Sequence, residues 1–487
     1  MHLTKLVSVL KAFDEPTIKD FKEFVHCEYF KVPVSAVRLF DYLEKQYPVF
    51  RESRLNPDVI AGKVKELGAA GKQAKAGTEL LKAIDNYIAM NDCRENEWNN
   101  AMHRLNGFKK LHLFEQFTKE HVRLQEELEE QTEQNVDAFF YKHQFTEIYF
   151  SGFDGKLDRT KHNDLMPVLK TLDEYYAIKK LRYLCEALNR KQVLGIDYSG
   201  DHIQRLLDIL KPYDNEKYPY VHIFVNVFKM LSAESYEDSQ YPYLLIKKIA
   251  ADYDKENLPT AISESVNYAL NRCLFWSNQG VEEAGQEYLW WIDFKMRWGI
   301  LLQNGKLTPI TFRNVVASAA LYGKRADWMR QFIRVYSQNL PDEDRDTNVS
   351  FALGLYFYCM KDYGGAIRYF LNAQAKEEVV FNAIIRRWQW MATYEANPEE
   401  TDLLMNQLLA FEKYMQRNKD DFHYYKPVFT AFISYAKKLL SSLLKSELAA
   451  TLEALNIEPH FSGKKWLFEQ FTLQIQKSRN PGERAFL

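Results

Sequence analysis

Apolar residues in this chain recur three and four positions apart over segment after segment, the period of a helix with one buried face. The clearest case runs from Asn348 to Ala373, NVSFALGLYFYCMKDYGGAIRYFLNA. Val349, Leu353, Tyr356, Phe357 and Met360 form one stripe, Gly364-Gly365 is expected to break the chain, and Ala366, Ile367, Phe370 and Ala373 form a second stripe. Helices this short cannot bury such faces alone, so the pair must stack on neighbours.

The same plan is legible along most of the chain. Residues 1–92 read as a compact helical head. In it Pro16 opens a helix after Asp14-Glu15 with Ile18, Phe21, Phe24 and Val25 inward. A second helix from about Ser35 turns Val37, Phe40 and Leu43 inward and stops before Pro48. Two more follow Pro57, separated by Gly68-Ala69-Ala70-Gly71. Three long helices are predicted from Glu95 to about Phe150, the middle one ending in Glu126, Glu127, Glu129, Glu130 and Glu133, a solvated acidic face. The loop from Ser151 to His162 is the best candidate break.

Residues 93–306 read as a degenerate helical-repeat region, with turns at Gly195–Gly200, Lys211–Lys217, Asp252–Pro259, Gln279-Gly280 and Asn304-Gly305. Val221–Leu231 and Ala261–Phe275 have strand-like composition but helical length. Residues 307–478 are expected to hold regular pairs and a closing helix over Leu467, Phe471 and Ile475, and residues 479–487 a flexible tail. Thr308 is a predicted N-cap before Pro309, as Asn397 is before Pro398. The pair from Thr308 to Leu340 sits 38 residues ahead of the reference pair, Phe332 falling on Phe370, Trp328 on Ala366 and Val315 on Leu353. Further pairs run over 379–417 and 422–455.

Leu353-Gly354, Phe357, Ala366, Phe370 and Ala373 make the reference pair resemble a tetratricopeptide repeat, although Ser350 and Glu378 depart from that pattern. FKEFVHCEYF and LFDYLEKQYPVF near the start, with Lys465-Trp466-Leu467 near the end, also resemble a family of bacterial helical-repeat proteins, and that resemblance brings no active site with it. The first resemblance implies an all-α fold, a right-handed α-solenoid of antiparallel helix pairs with the helical head in front of it. It also implies a concave groove lined by the first helix of each pair, here at Asn348, Phe351, Leu355, Tyr358 and Cys359. The lysines and asparagines with which some members clamp a peptide carboxylate are missing at these positions. Another turn of the chain could equally cover this surface.

Composition narrows the partners. Hydrophobic residues at 46%, with 15 Pro and 19 Gly, describe an ordered chain with ample core, and 15% aromatics fill gaps between stacked helices. Lys plus Arg total 64 against 66 acidic residues, so no global field draws the chain to nucleic acid or anionic membrane. Five cysteines without a C-x-x-C pair fit reduced, buried thiols and a cytoplasmic setting. MHLTKLVSVLKAF is interrupted too soon by Lys11 and Asp14 for a signal peptide, and no apolar run suits a membrane span.

The search for chemistry returns little. No H-E-x-x-H, G-x-S-x-G, G-x-G-x-x-G or zinc pattern occurs, and no cofactor or metal is implied. Asp342, Asp344 and Asp346 open like a calcium loop, but Thr347 and Leu353 occupy the required Gly and Glu positions, so they read as a solvated connector capping a helix that starts near Thr347. His112 and Glu115 share the i, i+3 spacing of a carboxylate metal site on one helix, without a second such motif. His26, His143, His222 and His423 are scattered.

Three functions remain. The first is a non-catalytic scaffold holding a protein or peptide partner at Phe351, Leu355 and Tyr358, with Lys324, Arg325, Arg330, Arg334, Arg386 and Arg387 as a basic set nearby. The second is a nucleic-acid-binding regulator: the segment 51–82 carries seven basic against four acidic residues, a helix-turn-helix there would lay Lys72 and Lys75 on phosphates within a stripe of Lys63, Lys65, Lys72 and Lys75, and Gln73 is the only obvious base-reading side chain nearby. The third is a hydrolase whose site is dispersed over several helices.

Overall fold

The computed structural model describes residues 2–68, 70–131, 135–152, 165–194, 203–254, 256–323, 326–375, 378–422, 425–441 and 445–477. The secondary structure of those residues is helical, with 23 α-helices and short 3-10 and π turns joined by loops, and an isolated bridge between Gln303 and Lys306 is the one β-type pairing among them. The chain divides into two units, one comprising Met1–Gln131 with Phe140–Thr171, the other Thr132–Phe139 with Leu172–Leu487.

The first unit begins with α1 (His2–Leu10), α2 (Glu15–His26), α3 (Val34–Glu44), α4 (Pro57–Lys63) and α5 (Ala70–Glu95). Asp14 accepts from the Thr17 amide and caps α2, whose buried residues are Ile18, Phe21, Phe24 and Val25, as their spacing predicts. These helices enclose a core of their own in which Phe21 meets Phe40 edge-on at 5.0 Å and Tyr87 at 5.1 Å. α3 ends at Glu44, four residues short of Pro48.

Next come α6 (Glu97–Lys110), α7 (Phe114–Glu130), α8 (Val136–Gly152) and α9 (Met166–Leu194). Tyr141 ties α8 to α6, receiving a bond from the Asn96 amide and donating to Asn99, both at 3.0 Å. The acidic end of α7 is stitched internally, Arg123 pairing with Glu120 and Glu127. Most of the expected loop from Ser151, the turn at 195–200, Glu133, and the 479–487 tail lie outside the described residues.

The second unit continues through α10 (Ile203–Leu210), α11 (Pro219–Ser232), α12 (Tyr236–Ala251), α13 (Thr260–Asn278), α14 (Glu282–Arg297), α15 (Pro309–Ser318), α16 (Ala326–Tyr336), α17 (Asp342–Cys359) and α18 (Tyr363–Asn372). It ends with α19 (Val379–Ala396), α20 (Thr401–Arg417), α21 (Lys426–Leu440), α22 (Lys445–Ile457) and α23 (Lys464–Lys477). Both segments of strand-like composition are helices, α11 and α13. Consecutive helices pack in pairs, α11 on α12, α13 on α14, α17 on α18, α22 on α23. Alternate helices also touch: α11 meets α13, α15 meets α17, α17 meets α19, α21 meets α23, and Trp390 of α19 packs edge-on against Phe432 of α21 at 5.7 Å. Of the three registered positions, Phe332 and Phe370 are both buried, whereas Trp328 and Leu353 are half-buried where Ala366 and Val315 are buried.

Several local expectations are corrected. The chain between α17 and α18 breaks at Lys361, whose φ is +60°, and Gly364-Gly365 lie inside the first turn of α18. There the Gly365 amide donates to the Asp362 cap at 2.9 Å, and a Cβ on Gly365 would come 2.6 Å from that carboxylate. Asp342, Asp344 and Asp346 belong to α17, which starts at Asp342. The first-turn acids Asp342, Glu343 and Asp344 favour the positive end of its dipole. Asn397 closes α19, and α20 starts only at Thr401 after a turn at Pro398-Glu399. Thr308 does cap α15, accepting from the Thr311 amide at 3.3 Å.

Gly354 is where α17 and α18 come closest, because a Cβ there would lie 2.5 Å from the buried Phe370 ring. Gly354→Val is expected to destabilise the second unit by about 1–3 kcal/mol through overpacking. Gly77→Ala, in mid-α5 with nothing within 4 Å of the new methyl, should instead add about 0.5–1 kcal/mol. Chemical denaturation of the two variants checks the opposite signs.

Candidate functional site

α17 is apolar around most of its circumference: Phe351, Ala352, Gly354 and Leu355 are buried, and Val349, Leu353, Tyr356, Phe357, Tyr358 and Cys359 are half-buried. A helix apolar on all sides is a buried helix. Of the predicted groove residues, Phe351 is 1% exposed and Leu355 0% exposed, so both are core side chains and cannot meet a partner in this conformation. Phe351 packs between Phe370 and Phe381, at 6.1 and 5.1 Å. Asn348 is buried too, its amide donating to the Asp344 carbonyl. Tyr358 lies edge-on to Trp388 at 5.2 Å, and burial raises its pKa above the ordinary value.

The C-terminal helix packs on α19. From α23, Trp466 packs on Trp390 at 5.8 Å and Tyr394 at 5.3 Å, and its indole donates to Glu395 at 2.7 Å. Gln470 donates to the same carboxylate at 2.9 Å. The same C-terminal segment reaches the turn between α13 and α14, where Lys465 pairs with Glu282 and His460 lies against Gly280. Gly280 has φ +95°, and a Cβ on it would fall 2.6 Å from the His460 Nδ1.

The basic set does not form one surface. Lys324 and Arg325 lie outside the described residues. Arg330 and Arg334 are exposed on α16, and Arg386 is half-buried over the Tyr414 ring at 4.5 Å. Arg387 is buried, so its place in the expected basic set beside the groove is corrected. Burial lowers its pKa to about 10, and its guanidinium donates to the Ser462 carbonyl at 3.4 Å, fastening α19 to the turn before α23.

In the head, Lys63, Lys65, Lys72 and Lys75 are exposed and make no ion pair among the described residues. Gln73 is no base reader. It is 3% exposed, and its amide donates to the carbonyls of Pro57 at 2.8 Å and Leu67 at 2.9 Å, holding the start of α4 and the 3-10 turn before α5.

The candidate metal pair is also separated. His112 sits in the turn before α7 with φ +57°, off the helix that carries Glu115, and Glu115 pairs with Lys119 at 2.7 Å. His26 pairs with Asp41 at 2.8 Å, His143 contacts Thr171 at 3.3 Å, and His222 meets Asp214 at 2.6 Å, where Lys229 also bonds. His423 lies outside the described residues. Among the described residues no three His, Cys, Asp or Glu side chains converge as a metal site, and no helix is long and apolar enough to cross a membrane. All five cysteines are free, Cys185 and Cys273 buried but Cys27 exposed.

One recess escaped the sequence reading. It lies between α12, α13 and α14, has a cavity volume of about 10 Å³, and is lined by Tyr236, Gln240, Arg272, Cys273, Trp276 and Glu287 among others. Its only signal in the sequence is Arg272 with Phe275 and Trp276 at i+3 and i+4, a spacing that lays a cation over rings on one helix face. Compared with known proteins, the chain matches no family model, no curated protein and no solved structure.

Burial disfavours the His460 imidazolium, with Lys464 adding repulsion, so its pKa lies below the ordinary 6.5. The unfolded chain then takes up the proton first, and the stability that neutral His460 supplies is full above pH 6.5 and lost as pH falls toward the lowered value. The expected outcome is a steeper loss of melting temperature on acidification below pH 6.5 in the wild type than in His460→Gln, measured by calorimetry across that range.

Proposed function

We propose that the chain is a non-catalytic helical-repeat scaffold, a right-handed solenoid of tetratricopeptide-like pairs, that holds a protein or peptide partner. The pairing of consecutive helices and the contact of alternate ones support the array. Burial of Phe351 and Leu355 moves the partner surface away from them and onto another helix.

The observation that carries the reading is the second apolar face of α9. One face of this helix buries Ala177, Ile178, Leu181 and Cys185, each 0% exposed. Another turns Leu172, Tyr176 and Tyr183 to solvent, 44%, 52% and 63% exposed, at i, i+4 and i+11. Lys180 lies 5.4 Å from the Tyr176 ring and Lys179 lies 5.7 Å from that of Tyr183. Single exposed apolar side chains are ordinary, but a helical stripe of them suits an amphipathic segment laid alongside. Basic residues over its rings favour acidic flanks on that segment.

A regulator that contacts nucleic acid through the head is the second reading, and the four exposed lysines without ion pairs favour it. Burial of Gln73 leaves it only phosphate contacts, which give affinity without sequence choice.

Tyr176→Glu with Tyr183→Glu should weaken partner capture by the full chain at least about tenfold with the fold intact, since central aromatics dominate such interfaces. Reversing Lys63, Lys65, Lys72 and Lys75 to Glu should leave that capture unchanged. Equal capture by the tyrosine variant defeats the scaffold reading at this face. Salt-dependent duplex binding that disappears in the lysine variant would favour the second.

A further inference from the structure

The recess between α12, α13 and α14 is built around an unbalanced cation. Arg272 is 3% exposed, its Cζ lies 4.5 Å from the centre of the Trp276 ring and 5.0 Å from that of Phe275, and one Nη donates to the Ala233 carbonyl just past the end of α11. Those contacts satisfy part of the guanidinium and none of its charge. No carboxylate pairs with Arg272 among the described residues, and its Nε is a buried donor without an acceptor. The Trp276 indole Nε1, on the same wall of the same recess, is a second buried donor without an acceptor.

The nearest acid is already engaged. Glu287 also lines the recess, but its Oε2 accepts from both the Tyr243 hydroxyl and the Lys247 ammonium, each at 2.5 Å, while Trp291 donates to the Tyr243 oxygen at 3.1 Å. That network offsets the Glu287 charge on its own side and leaves the Arg272 charge uncompensated. Burial alone lowers the Arg272 pKa to about 10, the direction of a guanidinium that has lost water and gained no anion.

We propose that this recess binds a carboxylate group, with Arg272 Nε and the Trp276 indole donating to its oxygens and Tyr236 and the Trp276 ring flanking the group that bears it. A water could accept from both donors but would not balance the buried charge. Two donors match the two oxygens of one planar monoanion, whereas a phosphate dianion brings more oxygens than the site has donors and more charge than Glu287 tolerates nearby. The volume limits the ligand further: about 10 Å³ is far below the roughly 300–1,000 Å³ of sites that enclose a whole drug-sized molecule. The recess therefore takes the head of its ligand and leaves the rest outside. This inference is independent of the partner face on α9.

The test is a titration of the full-length ¹⁵N-labelled protein, following the indole signal that disappears in Trp276→Phe. Sodium acetate is expected to move that signal saturably, and sodium chloride or phosphate at matched ionic strength is not. Arg272→Lys keeps the charge but loses Nε, and should weaken acetate binding at least about tenfold, the value of a charge-assisted bond. A short peptide ending in glutamate separates the sources. Tighter binding than acetate assigns the carboxylate to a polypeptide partner, and binding of acetate alone assigns it to a small free acid. A signal that neither acid moves, or that chloride or phosphate moves equally, overturns the proposal. The wild-type titration decides this even if Arg272→Lys fails to fold.

Discussion

Two-sided burial of the alternate helices is the constraint on which the second unit depends. α17 makes it plain: α18 takes one side of it, where Gly354 lets the Phe370 ring approach, and α15 and α19 take two others. The apolar side chains of these helices find their environment on neighbouring helices. α11, with ten buried residues in fourteen, and α19, with ten in eighteen, meet the same demand with Val and Phe in one case and Trp, Met and Ala in the other.

The same constraint governs the polar groups caught inside. Where charge is caught inside, the structure supplies a specific partner: Arg387 donates to a carbonyl before α23, and the Glu287 carboxylate accepts from a hydroxyl and an ammonium. Arg272 and Arg387 each meet a backbone carbonyl and no acid among the described residues. Arg272 differs in the recess beside it, where the Trp276 indole is a second buried donor without an acceptor.

The C-terminal helix is fastened to α19 by rings and hydrogen bonds. Trp466, Gln470 and Gln474 all reach α19, through rings, the Glu395 carboxylate and the Tyr394 hydroxyl. Its neighbouring turn brings His460 against Gly280, some 180 positions earlier in the chain.

Periodicity alone determined that the chain is mainly helical and which side chains of α2 turn inward, because those features rest on contacts three and four residues apart. Caps were legible when the capping side chain and its amide lie within one turn, as at Asp14 and Thr308. They were misread when two turn signals competed, as with Asp362 against Gly364-Gly365 and with Asn397 against Glu400. Tertiary structure alone decided the rest. Phe351 and Leu355 look like groove residues until α19 is set beside them, Gln73 looks like a reader until the carbonyls of Pro57 and Leu67 reach it, and Arg272 is an ordinary arginine until α12 and α14 close over it. The physical reason is common to all three: exposure and charge balance are set by neighbours far away in sequence, and a local pattern does not encode them.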